Sequence, residues 1–257
     1  MKILVNGISG FMGREVARLC DEGYRGATLS LGTDLAAGVY GDAPIYAGFG
    51  NVPEDAEIDC IVDFSHHTAT PALLDFAVSR GIPTVLATTG HTDGERALIV
   101  RAAESVPIFF SANMSLGVAL LVELAKTAAL AMPDAEIEII EKHHTRKLDA
   151  PSGTALMIAS AISEVRPDAY NNLGRAGHGK REKNEIGIHA VRMGNIVGEH
   201  EVIVGTATQT VTLKHEAHSR ALFAEGALAA AEFILDKEAG LYDMKSLISA
   251  GKDTANR

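Results

Sequence analysis

Residues 2–13 read KILVNGISGFMG, an apolar run that leads into a loop with glycine at positions 7, 10 and 13. A strand, a G-x-x-G-x-x-G loop and a helix start make up a variant of the dinucleotide-binding fingerprint. Glycine there permits a tight turn, lets the backbone approach a pyrophosphate and allows the helix to pack on the strand. The fingerprint favours a dinucleotide site, although a plain tight turn would also use these glycines.

The second predicted strand ends at an acidic residue. The fingerprint requires a carboxylate there to bind ribose hydroxyls, and Asp34 follows residues 29–33 at that position. A solvated turn residue is the alternative interpretation. Leu35, Ala36 and Ala37 come next and offer no cation for a 2′-phosphate. This favours NADH over NADPH, while a basic residue from elsewhere in the chain leaves NADPH open.

The first hundred residues alternate apolar strands with amphipathic helices, which indicates a parallel sheet covered on both faces. The predicted strands are 2–6, 28–32, 58–64, 84–88 and 108–111, and the predicted helices are 11–22, 68–80 and 93–104. Two loops, residues 87–90 and 111–114, follow strands of this sheet, and ligands of open α/β sheets bind at the carboxyl ends of the strands. Their small and hydroxylated residues suit a nicotinamide ribose and carboxamide, with ordinary connecting turns as the alternative.

After residue 113 the pattern changes, because strands follow one another without helices between them. Helices are predicted at 115–132 and 152–164, strands at 136–142, 186–191, 196–204 and 208–214, a long mobile loop at 171–183 and a last helix at 221–237. Consecutive strands indicate a mixed open sheet. We therefore predict an α/β protein in which a Rossmann-like doubly wound parallel sheet, residues 1–113 plus 221–257, carries an inserted α+β domain, residues 114–220.

The charge is distributed unevenly. The chain has a net charge of −10, which argues against a nucleic-acid partner. Residues 114–220 hold 12 Lys+Arg, 13 Asp+Glu and seven of the ten histidines, so this region has a net charge of −1 and the remainder −9. A near-neutral, histidine-rich region suits a small anionic ligand, although chance variation would give a similar contrast.

Membrane and secreted classes are not expected. The longest apolar stretches fall short of the roughly 20 residues that a membrane span needs, and the first residues do not resemble a secretory signal. We expect a cytoplasmic protein. Cys20 and Cys60 are too few for a disulfide framework or a thiolate zinc site and are predicted to be buried apolar residues.

Residues with catalytic or ligand-binding side chains are most concentrated in residues 141–155, EKHHTRKLDAPSGTA. Two histidines and a lysine precede a Pro-Ser-Gly-Thr turn that opens a helix. Cationic side chains and the N–H groups of a helix start therefore converge, which predicts an anion-binding site. For either histidine alone, a surface or capping role would be the simpler interpretation.

This segment resembles the dihydrodipicolinate reductase family, the 4-hydroxy-tetrahydrodipicolinate reductases of bacterial lysine and diaminopimelate biosynthesis. The family signature reads approximately E-x-H-H-x-x-K-x-D-x-P-S-G-T-A, and residues 141–155 match it without a gap. The resemblance extends to the glycine loop, residues 87–90, 111–114 and 194–200, and the late segment 240–244. It therefore covers nearly the whole chain.

The resemblance implies an NAD(P)H-dependent reductase with assigned residues. His143 is expected to be the catalytic proton donor and acceptor and Lys147 a second acid-base group. The substrate, a small dicarboxylate, is expected to contact His144 and the backbone amides of Gly153 and Thr154. The residues implied to bind the cofactor are Gly7, Ile8, Ser9, Gly10, Phe11, Met12, Asp34, Ala87, Thr88, Thr89, Ser111, Ala112, Asn113 and Met114.

The chain departs from the family at two positions. Many members have an arginine in the glycine loop and another after the acidic residue, where this chain has Phe11 and Leu35. The departure supports NADH over NADPH. The resemblance also implies a homotetramer, and the unpaired edges of an open sheet favour assembly.

Metal catalysis and non-catalytic cofactor binding are alternatives to a reductase. A metal enzyme is not expected, because the spacing of His215 and His218 differs from the H-E-x-x-H motif of zinc proteases. A non-catalytic dinucleotide-binding redox sensor remains the alternative function, but such a protein would have no reason to keep both His143 and Lys147.

Overall fold

The computed structural model describes residues 1–255, and its contacts divide the chain into two compact units. Unbroken apolar runs form the central strands of the sheet in the first unit. The first unit comprises Met1–Ser115 and the residues from Ala221 onward, and the second comprises Leu116–Arg220. The first boundary therefore lies two residues after the expected position at residue 113.

The amino-terminal part of the first unit alternates strands and helices. In chain order these are β1 (Lys2–Asn6), α1 (Phe11–Asp21), β2 (Thr28–Asp34), β3 (Gly38–Tyr40), β4 (Ala43–Ala47), β5 (Cys60–Asp63), α2 (Thr70–Arg80), β6 (Thr84–Leu86), α3 (Asp93–Ala102) and β7 (Pro107–Phe110). All residues of β5 and β6 are buried, as expected of strands covered on both faces.

The second unit consists of two helices and a five-stranded sheet. Its elements are α4 (Leu116–Ala131), β8 (Glu136–His143), α5 (Gly153–Val165), β9 (Tyr170–Leu173), β10 (Glu185–Arg192), β11 (Gly198–Gly205) and β12 (Thr210–Ala217). The strand order is β12-β11-β8-β10-β9, with β8, β9 and β10 parallel and β11 antiparallel to both neighbours. Side chains of α4, α5 and one face of the sheet form a single buried core. The predicted mixed open sheet is confirmed.

The chain then returns to the first unit through α6 (Ala221–Ile234), β13 (Gly240–Tyr242) and α7 (Met244–Ala255). The first sheet has the order β13-β7-β6-β5-β1-β2-β4-β3, and its pairs are parallel except β3 with β4. This arrangement confirms the Rossmann-like parallel sheet. Among the described helices, none is long and apolar enough to cross a membrane.

Four short strands depart from the sequence prediction. The prediction of one loop over residues 171–183 was wrong at its start, because β9 pairs with β10 from Tyr170 to Leu173. An edge strand bonded on one side needs no alternation of apolar residues, so the sequence YNNL carries no strand signal. Strands β3, β4 and β13 were not predicted either. Cys20 and Cys60 are buried and unpaired, as predicted.

Candidate active site

The glycine loop after β1 depends on two glycines. Gly7 has φ of +79°, and a Cβ there would lie 2.8 Å from the carbonyl oxygen of Phe64. A Cβ on Gly13 would lie 2.1 Å from the carbonyl oxygen of Gly7, so α1 packs closely on the loop. Gly10 precedes α1 and offers no side chain to the first-turn N–H groups. The loop therefore fits a dinucleotide pyrophosphate, which binds to N–H groups at a helix start.

Asp34 contacts the glycine loop directly. Its carboxylate accepts hydrogen bonds from the backbone N–H of Ser9 at 2.8 Å and of Leu35 at 2.7 Å. Burial opposes ionisation, but these N–H groups hold the pKa of Asp34 below its usual value. The structure therefore brings the acidic residue and the loop together as an ionised carboxylate beside a helix start. Phe11 is 62% exposed and Leu35 is 99% exposed.

The other two expected cofactor loops follow β6 and β7, which are parallel neighbours in the same sheet. Ala87 and Thr88 are buried, whereas Thr89 is exposed. The Ser111 hydroxyl donates to the carbonyl oxygen of Asn113 at 2.8 Å. Parallel strands end at one edge, so these loops lie at the same edge of the sheet as the glycine loop. The remaining members of the expected set are Ala112, which is exposed, and Met114, which is buried.

In the second unit, the period of β8 places two polar residues on the core face. The strand reads EIEIIEKH, and its buried positions are 137, 139, 141 and 143. Because side chains alternate between faces, Glu141 and His143 continue the row that begins with Ile137 and Ile139. A carboxylate and an imidazole therefore follow two core isoleucines.

Glu141 is completely buried and has hydrogen-bond partners in three elements. Its Oε2 accepts from Arg192 Nη1 at 2.7 Å and lies 2.6 Å from His143 Nδ1. Its Oε1 accepts from Arg192 Nη2 at 2.7 Å and from the backbone N–H of Ser152 at 2.9 Å. Burial opposes ionisation, but the hydrogen bonds hold the pKa of Glu141 below its usual value. Among these bonds, those from Arg192 lower the pKa most.

His143 is buried, with 8% of its surface exposed. A Cβ on Gly198 would lie 3.0 Å from His143 Nε2, so the space beside this nitrogen depends on glycine at position 198. The ring of His200 meets the His143 ring edge to face, with centroids 5.2 Å apart. Burial and the neighbouring His143 lower the pKa of His200 to about 4, so His200 is neutral at pH 7.

His144 and Lys147 lie in the turn after β8. The His144 N–H donates to the carbonyl oxygen of Ile196 at 2.8 Å, and Lys147 Nζ lies 2.9 Å from Asp149 Oδ1. Burial lowers the pKa of His144, and the charges of Arg146, Arg220, His143 and Lys147 lower it further. The predicted His143, His144 and Lys147 therefore lie close enough to interact electrostatically.

Helix α5 begins beside this cluster. Ser152 is its N-cap, and its hydroxyl accepts from the N–H of Ala155 at 3.2 Å. Gly153 and Thr154 belong to the first turn, and the N–H groups at a helix start commonly bind anions. Since Glu141 binds the Ser152 N–H, the expected carboxylate-binding turn and the expected proton donor meet at one buried carboxylate. We call residues 141, 143, 144, 147, 152–154, 192, 198 and 200 the His143 cluster.

Sequence reasoning gave no role to four members of the cluster. Glu141, Gly198 and His200 lie in segments that resemble the family but had no role assigned, and Arg192 lies outside those segments. The signal for Glu141 was present, because a charged residue at the period of buried isoleucines requires a partner inside the protein. Its partner Arg192 comes from β10, 51 residues away, so the sequence alone could not identify it.

The chain matches known proteins along nearly its whole length. The family models described as dihydrodipicolinate reductase, N-terminus, and dihydrodipicolinate reductase, C-terminus, match residues 1–114 and 117–248. The 4-hydroxy-tetrahydrodipicolinate reductase of Caldanaerobacter subterraneus subsp. tengcongensis is 44% identical, over 98% of this chain and 99% of the relative. The enzyme of the same name from Clostridium novyi strain NT is 42% identical, over 97% and 98%.

A solved structure has the same fold. The dipicolinate-bound dihydrodipicolinate reductase from Paenisporosarcina sp. TG-14 superposes with a TM-score of 0.79, over 95% of this chain and 97% of that chain, at 24% sequence identity. Both units of the chain therefore have counterparts in one known architecture.

Proposed function

The chain belongs to the dihydrodipicolinate reductase family, and we propose that the His143 cluster binds the dicarboxylate substrate and supplies the proton of that family's reaction. The enzyme is an oxidoreductase of lysine and diaminopimelate biosynthesis that uses a nicotinamide dinucleotide. The reaction reduces 4-hydroxy-tetrahydrodipicolinate to tetrahydrodipicolinate and releases water, so it consumes one hydride and one proton. When bound, the nicotinamide supplies the hydride.

The observation that carries this proposal is the contact between His143 Nδ1 and the buried Glu141 carboxylate at 2.6 Å. A carboxylate that holds one imidazole nitrogen leaves the other for proton transfer. His143 is therefore the proton donor and acceptor. A positioned general acid of this kind contributes about 10²–10⁴-fold to the rate.

The substrate carboxylates are assigned to the first turn of α5 and to the neighbouring cations. The N–H groups of Gly153 and Thr154 hold one carboxylate, as helix starts commonly do. His144 contacts the substrate, and Lys147 contributes positive charge and a second acid-base group. Lys147 is now paired with Asp149, which is 58% exposed at its side chain. We expect a substrate carboxylate to replace this exposed partner.

The preferred cofactor in this proposal is NADH. The residues that would hold a dinucleotide are those of the glycine loop, Asp34, and the loops at 87–89 and 111–114. Asp34 is suited to ribose hydroxyls and disfavours a 2′-phosphate by charge. Phe11 at the start of α1 and Leu35 next to Asp34 are exposed and occupy positions where many family members have arginine, which supports NADH over NADPH.

We further propose a homotetramer located in the cytoplasm. One face of the second sheet is covered by α4 and α5, while the opposite face carries intermediate and exposed residues such as Ile140, Val191 and Ile203. Pairing of this face between copies would cover these apolar side chains. The free, buried Cys20 and Cys60 are ordinary in a reducing compartment. The non-catalytic sensor is not favoured, because the relatives are named as reductases.

Kinetics of two variants test the residue roles. His143→Gln and Lys147→Ala are each expected to lower kcat by at least about 10²-fold while NADH affinity, measured by calorimetry, stays unchanged. His178→Gln and Lys180→Ala, which alter exposed residues of the same types, are the matched controls and should keep full activity. A near-normal kcat in His143→Gln would contradict the proposal, as would loss of NADH binding in either variant.

A further inference from the structure

Glu141 lies at a position where a charge is costly. It follows Ile137 and Ile139 on the core face of β8 and is completely buried. An ionised carboxylate in such a place requires hydrogen-bond partners. Three hydrogen bonds to Glu141 have fixed donors, because Arg192 donates two and the Ser152 N–H donates one, and His143 Nδ1 lies 2.6 Å from the carboxylate.

The charged Arg192 and the Ser152 N–H favour the ionised carboxylate without any contribution from His143. Together with His143 Nδ1 they give each oxygen two hydrogen-bond partners, which matches the roughly four lone-pair sites of an ionised carboxylate. Arginine stays charged at all relevant pH values and binds a carboxylate through two parallel N–H groups. A second bond from Arg192 Nη2 to the carbonyl oxygen of Asp149, at 2.6 Å, fixes the orientation of the guanidinium. Glu141 is therefore held ionised and acts only as an acceptor.

An acceptor-only carboxylate determines which nitrogen of His143 carries a proton. Nδ1 lies 2.6 Å from Glu141 Oε2, so Nδ1 must carry hydrogen whether the ring is neutral or charged. The neutral ring then has its lone pair on Nε2, and the charged ring has its second proton there. Nε2 is also the atom beside Gly198, where a Cβ would lie 3.0 Å away.

We propose that Glu141, held by Arg192, is a positioning residue that keeps His143 in the Nδ1–H tautomer and makes Nε2 the atom that gives and takes the catalytic proton. The inference rests on the proposed role of His143 and deepens it. Glu141 also binds the Ser152 N–H at the start of α5, so the same carboxylate places the substrate-binding turn relative to the imidazole.

Glu141→Gln is the test variant, because a glutamine amide is nearly isosteric but both donates and accepts. If its carbonyl oxygen takes the place of Oε1, where Arg192 Nη2 and the Ser152 N–H donate, its NH₂ group takes the place of Oε2, faces His143 Nδ1 and favours the opposite tautomer. We expect kcat to fall by at least about 10²-fold, since a wrong histidine tautomer abolishes general acid-base catalysis. The wild-type chain labelled with ¹⁵N-histidine should show His143 as Nδ1–H in the neutral state, and Glu141→Gln should show Nε2–H. The His143→Gln variant assigns the signal.

Arg192→Lys gives a second, milder test, since it keeps a positive charge but loses the paired donation. We expect kcat to fall about tenfold and NADH affinity to stay unchanged. This variant also serves if Glu141→Gln does not fold, because the Glu141 carboxylate remains in place. A wild-type kcat in Arg192→Lys would overturn the role of Arg192.

Failure of this inference can be told apart from failure of the proposed function. If His143→Gln is inactive while Glu141→Gln keeps both the kcat and the Nδ1–H signal of the wild type, the positioning role of Glu141 is wrong and the role of His143 stands. If His143→Gln itself keeps the wild-type kcat, the proposed function fails and the inference fails with it.

Discussion

Acid should destabilise the second unit through His200. This side chain is 4% exposed, and burial together with the neighbouring His143 lowers its pKa to about 4 from the ordinary 6.5. Between these two pH values, an unfolded chain binds a proton at this position and the folded chain does not. The free energy of unfolding therefore falls as the pH falls from about 6.5 to about 4.

The magnitude follows from the displacement of the pKa. A tenfold change in proton affinity is worth about 1.4 kcal/mol, so a pKa of about 4 corresponds to about 3 kcal/mol lost between neutral pH and pH 4. Glu141, whose pKa is held below its usual value, also contributes stability to the folded protein that is lost as the pH falls. A variant at position 200 is needed to separate the two contributions.

His200→Gln removes the titrating group and keeps an amide that can bond with the Ser152 hydroxyl, which lies 3.1 Å from His200 Nε2. Urea denaturation at fixed protein concentration, followed by circular dichroism from pH 7.5 to pH 4, gives the free energy of unfolding of both proteins. The free energy of unfolding of the wild type minus that of His200→Gln should fall by about 3 kcal/mol between pH 7.5 and pH 4. His178→Gln, at an exposed position, should follow the wild type. A change in the difference of less than about 1 kcal/mol would refute the reasoning.

Three further substitutions have defined outcomes. Gly198→Ala should place a methyl group 3.0 Å from His143 Nε2 and lower kcat about tenfold in steady-state assays, with cofactor affinity unchanged; an unaltered kcat would contradict the assignment of Nε2. Gly13→Ala should lower the free energy of unfolding in urea by about 2 kcal/mol or more, since its Cβ would lie 2.1 Å from the carbonyl oxygen of Gly7, and unchanged stability would disprove this close packing. Leu35→Arg should lower the KM for NADPH about tenfold or more by supplying a cation for the 2′-phosphate, and an unchanged KM would show that position 35 does not face that phosphate.

Most elements of the first unit, and the segment 141–155 at the centre of the candidate site, could be predicted from the sequence. The glycine spacing at 7, 10 and 13 and the acidic residue at 34 predicted parts of one dinucleotide site, and in the structure the Ser9 N–H donates to Asp34. Both features are local in the chain, so pattern and spacing suffice. The match of residues 141–155 to a family signature is local in the same sense.

Long-range partners could not be predicted in this way. Arg192 and Gly198 reach His143 and Glu141 through the register of β8 with β10 and β11. One sequence does not determine that register. The three-residue strands β3 and β13 were missed because so few residues show no period, and their place comes from pairing with β4 and β7.

The most direct test of the whole account is the initial rate of cofactor oxidation by the purified protein. Substrate is made in the cuvette from pyruvate and aspartate semialdehyde by the synthase that precedes this reaction, with NADH and NADPH assayed in parallel. The account predicts rapid oxidation that requires the substrate and is faster with NADH. Tight NADH binding with no substrate-dependent oxidation of either cofactor would contradict it and would favour the sensor.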